Sequence, residues 1–198
     1  MKKLLTLILL LYSGPFAIAQ SNYEQRTIKV LSSSHLTITG ETNISAFTCV
    51  FDTSLLADPI QVQYLETGSF IAFQNAKLDL DTKGFDCGSR PINQDFRALI
   101  KADQYPEIEL ELLTIQLNSP ASGIATIRIK IAGIEKNYPV PVKINSGEIV
   151  GFQGSMEINI EHFDLEPPRK LFGIIVVKEE IQILFDLRVK RHPAPPNL

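Results

Sequence analysis

Three glutamates at alternate positions, Glu107, Glu109 and Glu111, and an adjacent pair, Glu179-Glu180, are the residues of this chain whose spacing invites an acid–base reading. Such chemistry needs a carboxyl that is desolvated or charge-paired, so that its pKa moves towards the working pH. The first three do not meet that requirement. They interleave with Ile108, Leu110 and Leu112, so in an extended strand the carboxylates share one face and the aliphatics the other. Water screens like charges on such a face, and the acidic side reads as solubility and edge protection. Nothing beside Glu179-Glu180 suggests a desolvated partner either.

His162 stands in phase with Met156, Ile158 and Ile160, which puts its ring on an apolar face. It is there either as a satisfied core or rim histidine or as a hydrogen-bond partner for a ligand headgroup. His35 falls in a turn and His192 in the tail. The chain has no second histidine at metal-ligand spacing, no C-x-x-C and no serine beside a plausible base. Neither a metal site nor acyl transfer has support, and no catalytic residues and no cofactor are assigned.

The two cysteines, Cys49 and Cys87, depend on compartment for their reading. Lys2-Lys3, an apolar run from Leu4 to Tyr12, the breakers Gly14 and Pro15, and Ala17-Ile18-Ala19 fit a secretory signal peptide over 1–19, cut before Gln20. The run is far short of the ~20 residues that span a bilayer, and no later stretch is long enough. The expectation is a mature protein in the periplasm or outside the cell, without stable membrane insertion. In that oxidising setting a Cys49–Cys87 disulfide is expected, closing a 38-position loop; two separate buried thiols are the alternative.

The elements that must position these residues are almost all strands. Alternating apolar positions predict strands at 27–31, 36–39, 43–51, 60–65, 69–80, 107–117, 124–131, 138–144, 156–163 and 181–189, most of them bounded by Gly, Asn, Ser or Pro. Helical spacing occurs only at 94–101, with Phe96, Leu99 and Ile100, and ends before Tyr105-Pro106. In the strand that follows, the apolar phase slips from even (Ile108, Leu110, Leu112) to odd (Leu113, Ile115, Leu117), which predicts a bulge near Leu112. Long bent antiparallel strands suit a closed or nearly closed barrel better than two flat sheets, although a sandwich remains open. A hairpin turns at Gly133. Pro139 and Pro141, on one parity of its second strand, remove two donors from the same side, so that strand should lie at an edge or a seam.

The formal net charge of −3 becomes more negative once Lys2 and Lys3 leave with the leader. That excludes a basic footprint for nucleic acid. About 180 mature residues suit one domain, 20–192, with a disordered tail at 193–198.

Several pieces, in order, resemble one family: Ser34–Gly40 (SHLTITG), Asn43–Cys49 (NISAFTC), Phe85–Gly88 (FDCG), Lys101–Ile108 (KADQYPEI), Ile131-Ala132-Gly133 and the closing Phe163–Leu187 block. Together they resemble the YceI-like family, in a branch with two cysteines, across nearly the whole mature chain. The resemblance implies an all-β fold, an antiparallel lipocalin-like β-barrel of about eight strands with one short inserted helix. It also implies a non-enzymatic binding protein that holds a long apolar lipid, a polyisoprenoid or a fatty-acid derivative.

The lumen candidates are bulky residues on apolar phases: Phe47, Phe51, Phe70, Phe73, Phe96 from the helix, Ile129, Met156, Ile158, His162 and Phe185. A barrel of this size is just wide enough to be filled by its own side chains or to hold one ligand, so plain core is the alternative for each. The helix is expected to cover one mouth partly, with Arg97 or His162 as polar groups at the rim. The rival to a carrier is a structural or interaction module with a solid core, and an esterase-like enzyme is the least supported reading. A homodimer is left open.

Overall fold

The computed structural model describes residues 23–167, 169–170 and 175–192; the leader and the tail expected at 193–198 lie outside the described residues. In chain order the strands are β1 (Glu24–Val30), β2 (His35–Thr42), β3 (Ala46–Phe51), β4 (Ile60–Thr67), β5 (Phe70–Gln74), β6 (Lys77–Asp81) and β7 (Phe85–Asp86). One helix, α1 (Arg90–Leu99), follows. Then come β8 (Glu107–Ser119), β9 (Ser122–Ile131), β10 (Ile134–Asn145), β11 (Ile149–Asn159), β12 (Arg169–Lys170) and β13 (Ile175–His192).

Eight of these strands pair in the order β1-β4-β5-β8-β9-β10-β11-β13, and β13 pairs back onto β1, all antiparallel. The sheet therefore closes on itself, as expected for a barrel, and a sandwich is excluded. Two long strands make closure possible by carrying two partners on one edge. β8 pairs with β6 along Glu107–Glu111 and with β5 along Thr114–Gln116. β13 pairs with β2 along Val177–Asp186 and with β1 along Val189–His192.

At each partner change a loop supplies the missing hydrogen bonds, because a buried backbone group left unpaired is costly. On β8, the Leu112 N–H donates to the Ala76 carbonyl at 2.9 Å. On β13, the Leu31 N–H donates to the Arg188 carbonyl at 2.8 Å, and the Arg188 N–H donates to the Ser34 hydroxyl at 2.9 Å. Thr53 then donates to the Ser34 carbonyl at 3.0 Å, which ties the turn at Thr53–Leu56 to the same junction.

The partner changes divide the barrel into two halves. In one, the inner positions come from the eight-strand ring. In the other, β6, β2, β3 and β7 take over from β5 and β1, and α1 caps the end. The capped half is solid. Phe85 sits between Phe51 (ring centroids 4.9 Å apart) and Phe96 of α1 (5.1 Å), and all three rings are buried. Such aromatic pairs add about 0.5–1.5 kcal/mol each beyond their area. The Cys49–Cys87 disulfide, also buried, pins β3 to the segment leading into α1.

Several sequence expectations hold at residue level. The slip at Leu112 is a β-bulge: the β8–β9 register shifts between Leu112 and Thr114, so Leu113 is the extra residue. Around Gly133, both Ala132 (φ 50°) and Gly133 (φ 83°) are left-handed, the pair that a tight two-residue hairpin needs. The proline seam is real. β10 pairs with β9 along its first ten residues but with β11 only from Val142 to Asn145, and Pro139 and Pro141 precede that ladder.

Other boundaries differ. The strand expected at 69–80 is two strands, broken where Asn75 takes a left-handed φ of 59°. The strand expected at 156–163 starts earlier, at Ile149, and ends at Asn159, whose side chain caps a single 3-10 turn over Ile160–Phe163. The strand expected from Asn43 starts at Ala46, because Thr42 bonds back to Ser45 and makes a tight turn.

The outer face of β8 is less acidic than its own sequence suggests. Glu109 stands opposite Lys130 and Glu111 opposite Arg128 on β9, with ion pairs of 3.1 and 2.9 Å, and Lys77 on β6 reaches Glu109 at 2.9 Å. The hydrogen bonds from Lys77 and then Lys130 hold the Glu109 carboxyl below its usual pKa, while the bonds to Glu109 and then Asp79 raise that of Lys77.

Two predictions follow from these contacts. A thiol assay on denatured, non-reduced protein should read near zero, and replacing both cysteines with serine should cost roughly 3–4 kcal/mol of unfolding free energy on the chain-entropy model. Two reactive thiols per chain would refute the bridge. Glu109→Gln should cost about 0.5–1 kcal/mol at neutral pH. Because the native carboxyl titrates below its unfolded value of about 4.3, the deficit should be constant above about pH 5 and shrink as pH falls through the native pKa. Denaturation of both proteins from pH 7 to 2 checks this, and a deficit that persists at pH 2 would count against the charge ladder.

Candidate functional site

In the half of the barrel that α1 does not cap, the inward parity of each ring strand faces an unfilled space of about 430 Å³. This lies within the roughly 300–1,000 Å³ typical of ligand pockets. The wall is nearly all carbon. Ile28 and Val30 of β1, Val62 of β4, Ile71 and Phe73 of β5, and Leu110, Leu112, Ile115 and Leu117 of β8 form one side. Ile127 of β9, Ile144 of β10, Val150, Phe152 and Met156 of β11, and Ile183, Phe185, Leu187 and Val189 of β13 form the other.

The bulge at Leu112 is what makes β8 continuous wall. Without it, Ile115 and Leu117 would point outward, since a one-residue slip moves every later side chain to the opposite face. Gly154 sets the place of one ring. It stands opposite Phe185, and a Cβ built on it would fall 2.6 Å from the Phe185 ring and 3.0 Å from the Pro141 carbonyl. Only the missing side chain lets Phe185 lie across β11 against the cavity.

Of the ten lumen candidates, Phe73, Met156 and Phe185 line the cavity. The other seven do not. Phe51 and Phe96 belong to the aromatic stack of the solid half, and Ile129 and Ile158 are fully buried core. Phe47 is half-buried with its ring over Gly40. Phe70 is 42% exposed and points away from the lumen, because Ile71 and Phe73 take the inner parity of β5.

His162 fails for a different reason. Its phase with Met156 and Ile158 is broken when the strand stops at Asn159, and the 3-10 turn leaves the ring exposed, with Nδ1 3.4 Å from the Tyr138 hydroxyl. That turn, with Phe163 stacked on Tyr138, packs against the proline seam. The end that the helix covers is the solid one, not the end at which the cavity opens. The helix precedes the start of β8, whereas Leu117 and Pro120, on the cavity wall, lie at the other end of that strand. Arg97, on the helix, is consequently remote from the mouth.

The polar residues on the wall are Arg26, Tyr64, Glu66, Lys77, Ser146 and Arg191, of which Lys77 is taken up by Glu109 and Asp79. None was singled out from sequence, although their parity with the apolar positions of β1, β4 and β13 was a usable signal. Glu24 accepts a hydrogen bond from the Tyr64 hydroxyl at 2.7 Å and pairs with Arg26 at 2.8 Å. The bond to the carboxylate pushes the Tyr64 hydroxyl above its usual pKa. Phe152 was also missed, because Gly151 and Gly154 interrupt the alternation around it.

Chemically, the arrangement can take an apolar chain out of water and meet a polar group at the mouth. Among the described residues no three His, Cys, Asp or Glu side chains converge as metal ligands, and no helix is long and apolar enough to cross a membrane.

Comparison with known proteins fits this geometry. The structure is similar to that of BcnA from Burkholderia cenocepacia, with TM-score 0.61 and 19% identity over 78% of this chain and 95% of that one. It is similar also to a polyisoprenoid binding domain from Saccharophagus degradans implicated in plant cell wall breakdown, with TM-score 0.58 and 13% identity over 83% and 98% of the two chains. The YceI protein of Campylobacter jejuni gives TM-score 0.52 and 13% identity over 62% and 74%. Among curated proteins none matches the sequence. Residues 26–189, nearly the whole of the ring, match the YceI-like domain model, and the chain belongs to the YceI-like family.

Proposed function

We propose that this protein is an exported, non-enzymatic carrier that sequesters a long apolar lipid, a polyisoprenoid or a fatty-acid derivative, in the barrel lumen. The observation that carries the reading is the carbon-lined cavity of about 430 Å³. A solid-core interaction module would leave no such space. The structural likeness to a polyisoprenoid binding domain supports the same class of ligand. Export to the periplasm or outside the cell rests on the leader pattern at 1–19.

The energetics favour a long chain. Each methylene moved from water into the lumen contributes ~0.8 kcal/mol. Association costs an estimated 4–15 kcal/mol in lost freedom. Short tails cannot offset that with burial alone, whereas a chain that fills the cavity can. Release would then follow transfer to another apolar phase, with no bond made or broken.

Recombinant protein extracted with organic solvent should yield a long-chain lipid by mass spectrometry. Delipidated protein should bind fatty acids with affinity rising roughly fourfold per added methylene until the lumen is full. Ile71→Trp, which pushes a ring into the cavity from β5, should abolish uptake while the protein stays folded, at a cost of about 1–3 kcal/mol for the overpacking. Folded protein that neither carries nor takes up any long-chain lipid would overturn the carrier reading in favour of the interaction module.

A further inference from the structure

We infer that the lip of the cavity is an anion subsite in which Arg26 and Arg191 hold the headgroup of the bound lipid, so that the ligand is a long-chain acid, a carboxylate or a phosphate, and not a neutral amphiphile. The inference rests on the carrier reading and specifies its ligand.

Both arginines line the cavity although each sits on an otherwise aliphatic stripe: Arg26 continues Ile28 and Val30 on β1, and Arg191 continues Leu187 and Val189 on β13. The register makes them neighbours. Arg191 is directly opposite Ile28, and Arg26 lies two residues further along β1 on the same face. That is a diagonal cross-strand pair, about 7–8 Å apart at the backbone and within reach for long side chains. Two like charges so placed against an apolar wall repel each other unless an anion sits between them.

The protein's own carboxylates do not supply that anion in full. Glu24 pairs with Arg26 and is shared with the Tyr64 hydroxyl. Glu148 is engaged by Lys190 at 2.9 Å, and Asp186 by Arg188 at 3.3 Å and Gln153 at 3.1 Å. Among the described residues no carboxylate pairs with Arg191. The acid remaining on the cavity wall is Glu66, and it is far off: Arg26 is opposite Val62, four residues away from Glu66, or ~13 Å along the strand.

The deep wall opposite this lip, formed by Leu36, Leu56 and Met156, is apolar. A ligand therefore has one productive orientation, tail inward and head at the arginines. Guanidinium suits such a head because its planar fork matches two oxygens of a carboxylate or phosphate. The same chemistry serves a fatty acid or an isoprenyl phosphate, so the test separates the two.

The experiment is displacement of the neutral probe N-phenyl-1-naphthylamine from delipidated full-length mature protein, by palmitate, hexadecanol, farnesyl monophosphate and farnesol. At least one acid should displace the probe at a tenfold or more lower concentration than its alcohol, and which acid does so identifies the headgroup as carboxylate or phosphate. The advantage should fall to within about twofold in Arg191→Met and in Arg26→Met, and in wild type at 0.5 M NaCl, while the alcohols bind unchanged. Arg191→Lys, which keeps the charge but not the fork, should retain part of it, and together with the salt series tests the site even if a methionine variant fails to fold. If probe and alcohols bind but acids gain nothing, or if the gain survives in both methionine variants, the subsite is refuted and the carrier reading stands. If folded protein binds neither the probe nor any of the four lipids, the carrier reading and the subsite fall together.

Discussion

Backbone pairing at two strand edges is the constraint on which this structure depends. A barrel has no free edge only if every strand finds a partner on both sides. β8 and β13 are longer than the neighbours available to them, and each solves this by taking two partners in succession along one edge. The junctions hold because loop atoms fill the breaks, the Ala76 carbonyl on β8 and the Leu31 amide with the Ser34 hydroxyl on β13. No buried side-chain nitrogen or oxygen among the described residues is left without a partner.

The division into a solid and a hollow half follows from those partner changes. Where β2, β3, β6 and β7 enter, they bring Phe51 and Phe85 to meet Phe96, and the disulfide fixes this cluster from the side. Where the ring strands alone meet, their inner residues are mostly aliphatic, and they do not reach across. Rigidity at one end and empty volume at the other are two results of one topology. A cavity bounded by paired strands can stay open without collapsing, since closing it would break ladder hydrogen bonds on several strands at once.

Side-chain parity in the sequence predicts orientation well where the backbone stays extended. The slip from Leu112 to Leu113 became a bulge, Pro139 and Pro141 marked the seam, and the aliphatics of β8 became cavity wall. Parity loses its meaning where the backbone leaves the strand. His162 lost its phase at the turn after Asn159, and one expected strand broke at Asn75. Residue size is a poor guide as well: of the six phenylalanines expected on the lipid wall, four, Phe47, Phe51, Phe70 and Phe96, lie in the solid half or outside the lumen.

By itself the sequence determined the class of fold, the inner and outer face of most strands, the bulge and the seam, because alternation of side chains is a local property of an extended chain. It also carried the succession of motifs that marks the family. Only the tertiary structure decided which inner residues meet a partner and which face empty space. That depends on the residue across the barrel, dozens of positions away in the chain, and on which of two strands occupies each stretch of β8 and β13. The arginines at the lip and the neutralised outer face of Glu109 and Glu111 became visible for the same reason, since a charge acquires its role from the strand beside it.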